Sequence, residues 1–93
     1  MIYLVSYEMG EPGADEVPLA ATIREYGDYV HIHGKVWLVR TAEPASRIRD
    51  KLRRLAGPFD QVYVTRLHAD RAWLNLFVEV AEWLEGLKEE DFK

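Results

Sequence analysis

The sequence predicts an α+β domain built on one mostly buried sheet, and three observations predict it. The chain opens directly into a strand-like run, Met1–Glu8 (MIYLVSYE). Two helix-like stretches, each closed by a glycine, alternate with further strand-like runs. A last amphipathic stretch follows at the C-terminal end.

Taken in order, Ile2, Tyr3, Leu4, Val5 and Tyr7 suit a pleated, buried backbone. Apolar residues occupy both parities, which marks a central strand rather than an edge. The strand ends in a carboxylate, Glu8, and passes into the turn Gly10-Glu11-Pro12-Gly13. Asp15 and Glu16 favour a helix N-terminus and Pro18 is tolerated in a first turn. Leu19, Ile23 and Tyr26 share a helical face, and Gly27 stops the helix. Tyr29–His33 alternates, with Val30 and Ile32 on one face and Tyr29, His31 and His33 on the other. Gly34-Lys35 gives a tight turn into a buried strand, Val36–Thr41, and the two runs form a hairpin.

Glu43-Pro44-Ala45-Ser46 opens a second helix with the stripe Ala45, Ile48, Leu52 and Leu55, and Gly57-Pro58 closes it. Gln61–Leu67 is the fourth strand. Leu76, Val80, Trp83, Leu84 and Leu87 step at helical spacing. The order predicts a ferredoxin-like βαββαβ sandwich with an additional C-terminal helix. The whole of 1–93 is one domain, with its core at about 1–68 and the helical extension at about 72–90. In that topology the first and third strands are central, which brings Glu8 near His33, Gly34 and Lys35. Helices cover one face only, so the other, expected to carry Tyr3, Tyr7 and Trp37, is too apolar to stay wet. A homodimer follows, with Tyr7, His31 and Trp37 at its interface.

A chain of 93 residues buries only about two thirds of its unfolded surface, so dimer formation would help its stability. The apolar share of 48% supplies a core and argues against disorder. The absence of cysteine excludes disulfides and thiolate metal sites and fits a reducing compartment. No apolar run approaches the roughly 20 residues of a membrane helix, and no basic segment precedes the first strand. A cytoplasmic protein with no membrane partner is the expectation. Single Asn and Gln residues lean toward a thermophilic source. The net charge of −4 resides in the tail, where Glu79, Glu82, Glu85, Glu89, Glu90 and Asp91 face only Lys88 and Lys93. A dedicated nucleic-acid binder is usually basic overall, which leaves nucleic acid to a local patch.

Several short motifs match a family pattern: YLVSYE before a Gly/Pro turn, Tyr26-Gly27, the hairpin HIHGKVWLVRT, the run Ile48–Leu52, and Ala72-Trp73 with Trp83-Leu84. Together they span nearly the whole chain, which resembles the SinR-like proteins. That branch belongs to a ferredoxin-fold superfamily with the small non-integrase subunit of CRISPR spacer acquisition and the VapD-type toxin ribonucleases. The resemblance implies a homodimer with a metal, Mg or Mn, held between protomers by an acid at the end of the first strand. The matching position is Glu8, where the nuclease relatives carry aspartate. Where the CRISPR subunits favour serine at the start of the third strand, this chain has Lys35. Both departures bear on catalysis.

Glu8 is therefore the candidate metal ligand and catalytic carboxylate for metal-assisted phosphodiester hydrolysis. The plainer reading pairs it with Lys35 across the hairpin end, a surface arrangement worth little. His33 is a second catalytic candidate. His31 and His33 at strand spacing suit metal or acid–base chemistry, but no further ligand lies nearby in sequence. Arg47, Arg49, Arg53 and Arg54, with Lys51, give the second helix a basic surface that a phosphate backbone would welcome, and that a solvated helix also explains. Trp37, Trp73 and Trp83 could stack bases but read better as core or interface. Ser6 has no base beside it, and the Gly10–Gly13 turn is no phosphate loop. Two function readings follow: a metal-dependent nuclease of low activity, or a non-catalytic dimeric scaffold or binding module that kept the fold. A small-molecule-binding dimer, with a pocket at Tyr7, Trp37 and Tyr63, is a third.

Overall fold

The computed structural model describes residues 1–93. Four strands, β1 (Ile2–Glu8), β2 (Tyr29–His33), β3 (Val36–Arg40) and β4 (Gln61–Arg66), form one sheet in the order β2-β3-β1-β4. Every neighbouring pair is antiparallel. β1 is central, as its two-parity apolar pattern predicts, with Val5 opposite both Trp37 and Val64. Helix α1 (Val17–Arg24) connects β1 to β2, and α2 (Ala45–Arg53) connects β3 to β4.

One face of the sheet holds the main core. Tyr3, Val5, Tyr7, Trp37 and Val39 pack there against Leu19, Ala20 and Ile23 of α1 and Ile48 and Leu52 of α2. This overturns the expected placement of Tyr3, Tyr7 and Trp37 on the uncovered face. Tyr7 is 3% and Trp37 1% exposed within the single chain, so neither is available to a partner. The physical reason is that both parities of β1 are apolar, and alternation alone does not say which takes the helices. Leu55, expected in the α2 stripe, is 49% exposed, because the helix ends at Arg53.

The β2–β3 hairpin turns at Gly34, whose φ of 50° lies in the left-handed region. A register shift follows His31, so that His31 pairs with Trp37 and His33 with Val36. Trp37 and Val36 are consecutive, and the two histidines therefore part to opposite faces. The expectation that they share a face is corrected by this bulge. His31 stays beside Trp37, with the rings stacked at 4.0 Å and 7° apart.

The second face is covered in part by α3 (Val78–Glu85). Val80 and Leu84 pack on Val30 and Leu38, with Leu4, Ile32, Leu76, Trp83 and Leu87 around them. Trp83 Nε1 donates to Asp28 Oδ1 at 3.0 Å. The C-terminal helix is thus shorter than the expected 72–90: residues 67–77 are irregular, and Asn75 turns with φ 60°. Asn tolerates that left-handed conformation and interrupts the helix before it begins. Beyond α3 a 3-10 turn, Glu89–Phe92, folds back on the sheet, where Asp91 pairs with Arg40 at 3.1 Å.

Candidate functional site

Antiparallel pairing carries the end of β1 to the hairpin. The Tyr7 N–H donates to the Lys35 carbonyl at 3.2 Å, which continues the β1–β3 ladder into the turn. Lys35 is thereby held beside Glu8, and Glu16 comes up from the residue that begins α1. Lys35 Nζ lies 3.6 Å from Glu8 Oε1 and 3.7 Å from Glu16 Oε2. One ammonium bridges two carboxylates. The cluster borders an open depression of about 470 Å3 formed largely by the loop from Met9 to Ala14.

Below it, the Tyr7 hydroxyl donates to Glu16 Oε1 at 3.5 Å, a long bond. Burial, above all, pushes the Tyr7 phenol up in pKa, and Glu16 adds to this against the opposing effects of Trp37 and Lys35. Trp37 Nε1 is buried and has no hydrogen-bond partner. Arg24 lies over the indole at 5.1 Å and His31 stacks on it, so Trp37 is enclosed by its own chain.

A divalent ion needs several oxygen ligands and a place to sit among them. No group of three or more His, Asp or Glu side chains gathers anywhere in the chain. At Glu8 and Glu16 the position between the carboxylates belongs to Lys35. The residues of one chain do not fit a Mg or Mn centre. His33 is not part of this cluster and lines a different depression on the second face. The His31 Nε2 lies 2.6 Å from the Gly34 carbonyl, which can only accept, so Nε2 carries the proton and the ring serves the turn.

The basic surface of α2 is real but partly neutralised. Asp50 Oδ1 takes Arg49 at 2.9 Å and Arg53 at 3.8 Å. Its carboxyl is held below the ordinary range chiefly by the Arg49 hydrogen bond. Lys51 is committed to Glu43 at 2.8 Å, and Glu43 also accepts from the Tyr26 hydroxyl at 2.8 Å. Lys51 holds Glu43 below the usual carboxylate range, while burial and then Glu43 raise the Tyr26 phenol. A raised phenol pKa suits a structural donor tying the turn after α1 to the segment before α2, not a base. Arg47 on the same helix, and Arg54 just after it, remain exposed.

The largest concavity lies elsewhere. A groove of about 580 Å3 opens on the second face between the sheet, the irregular segment after β4, α3 and Phe92. Its lining includes Leu4, Leu38, Leu76 and Leu84 with Arg66 and Arg71. Leu74, which also lines it, is 82% exposed, and Phe77, three residues on, is 76% exposed. Sequence reasoning missed this groove. Its signal was the apolar run Ala72–Phe77, which fits neither a strand nor a helical stripe in full.

Comparison with protein-family models, characterised proteins and solved structures finds no match. No helix is long and apolar enough to cross a membrane.

Proposed function

We propose that the chain is a non-catalytic, homodimeric binding module of ferredoxin-like architecture, from the SinR-like branch. The observation that carries this reading is the bridging ammonium of Lys35, shared by Glu8 and Glu16. In the nuclease relatives that the sequence resembles, an acid at the end of β1 holds a metal. Here a tethered cation lies against the carboxylate instead, a solvent-exposed arrangement in which one ammonium offsets part of the charge of two carboxylates. The strand order β2-β3-β1-β4, with both crossover helices in one core, supports the ferredoxin-like architecture. The lack of cysteine supports a cytoplasmic setting.

The dimer is supported by the exposed apolar side chains of Leu74, Phe77 and Val78, which lie close in sequence around the start of α3. A metal-dependent nuclease is the second reading. It draws on Glu8, whose side chain is 68% exposed and so within reach of a second copy's Glu8. Labelled single-stranded RNA and duplex DNA, incubated with the protein in Mg²⁺ or Mn²⁺, separate the two. The module reading expects no cleavage above that of Glu8→Gln; cleavage that Glu8→Gln abolishes would reinstate the nuclease.

A further inference from the structure

The groove on the second face has the size of a small-molecule site, about 580 Å3 against the several hundred that such sites usually have. It is mostly apolar, with Leu4 and Leu38 from the sheet, Leu84 from α3 and Leu87 just beyond it. Its charged lining is biased in sign. Arg66 donates to the Phe92 carbonyl at 3.0 Å. Arg71 donates to the carbonyls of Ala69 at 2.8 Å and Leu84 at 3.1 Å, and its guanidinium lies 5.0 Å from the Phe92 ring centroid. Those partners hold the two guanidiniums in place without neutralising them. Neither forms an ion pair with a carboxylate, although Asp70 shares the lining. His33 and His68 add imidazoles and no anion.

We propose that this groove binds a small amphipathic monocarboxylate, its hydrocarbon chain along Leu4, Leu38 and Leu84 and its carboxylate at Arg66 and Arg71. A guanidinium already oriented by backbone carbonyls keeps free N–H donors for a charge-assisted bond to carboxylate. Both arginines are exposed, which leaves their free donors open to a ligand entering the groove. The alternative occupant, a second copy docked face to face, brings its own Arg66 and Arg71 against a single lining carboxylate, Asp70, so like charges outnumber opposite ones there. The inference deepens the binding-module reading and rests on it, while using none of the Glu8 cluster.

Calorimetric titration of the full chain with dodecanoate, dodecanol and dodecyltrimethylammonium, each below its micelle concentration, tests the proposal. Thr65→Trp fills the groove from β4 without removing either arginine. Arg66→Gln removes one charge and leaves the Arg71 bonds to the backbone. Dodecanoate is expected to bind wild type, to bind about tenfold or more tightly than the alcohol, and not to bind Thr65→Trp. Arg66→Gln should lose most of the preference for the carboxylate while keeping the affinity for the alcohol. Equal affinity for all three amphiphiles would overturn the proposal, as would no dodecanoate binding at all. So would a dimer that Thr65→Trp splits while dodecanoate leaves it intact, since a second copy would then fill the groove. If circular dichroism shows Thr65→Trp unfolded, the head-group series on wild type and Arg66→Gln decides alone. A failure here leaves the Glu8 reading standing, because the cleavage assay with Glu8→Gln judges that separately.

Discussion

Asp60 fastens the loop after β1 to the turn before β4. Its Oδ1 accepts the Gly10 N–H at 2.8 Å, and its Oδ2 accepts the Gly57 N–H at 2.7 Å. The Gly10 bond first, and then the Gly57 bond, hold the carboxyl below its ordinary 3.8. A depressed folded-state pKa contributes stability that is present above the unfolded value and lost as pH falls through the folded one. Asp60→Asn keeps the size but can accept through one oxygen only. The melting temperature of Asp60→Asn should lie below that of wild type near neutrality, with the gap closing below about pH 4. A gap that persists in acid would show that the charge has no part in it.

Gly10 also approaches the backbone of that turn. A Cβ at this position would meet the Phe59 carbonyl oxygen at 2.4 Å, closer than atoms can pack without moving the chain. Gly10→Ala should therefore destabilise the protein by about 1–3 kcal/mol, as overpacking does. Chemical denaturation measures it, and a neutral result would mean that the loop moves freely off the turn.

The helix α3 is part of the fold. Leu84 is buried against Val30 and Leu38, and Leu84→Ala should cost about 2–5 kcal/mol. Trp83→Phe removes the indole donor to Asp28, which keeps its ion pair with Arg40 at 2.8 Å, so the loss should be smaller, about 1 kcal/mol. Truncation after Asn75 should lower thermal stability sharply. Unchanged melting in that truncation would make α3 a tail with no packing role.

Phe77 and Leu74 reach into solvent from the segment leading into α3. If they meet a second copy, Phe77→Asp should shift sedimentation from dimer to monomer while leaving the monomer's own unfolding within about 0.5 kcal/mol, as exposed substitutions usually do. A wild type that sediments as a clean monomer at micromolar concentration would remove the dimer from the account.

Much of the architecture was legible in the residues. The two-parity apolar run of β1 marked the central strand, and Gly27, Gly34 and Gly57 sit at turns that separate the elements. The assignment of faces was not legible, because apolar Tyr3 and Leu4 offer either side of β1 to a core. Only packing against Leu19, Ile23 and Ile48 decides it. His31 and His33 were misread for a different reason: a bulge changes parity, and no residue type announces it. The nearness of Glu8 and Lys35 followed from topology alone. Glu16 did not, because its approach depends on how α1 enters after a loop of irregular backbone. The groove was hidden because its walls come from segments far apart in the chain: all four strands, the stretch after β4, α3 and Phe92.

The central claim is that Lys35 supplies the cation that Glu8 would otherwise take from solution. Calorimetric titration of Mn²⁺ into wild type and Glu8→Gln tests it most directly. Two indistinguishable isotherms without binding heat are expected. A saturable wild-type isotherm that Glu8→Gln abolishes would contradict it and put a metal at the end of β1.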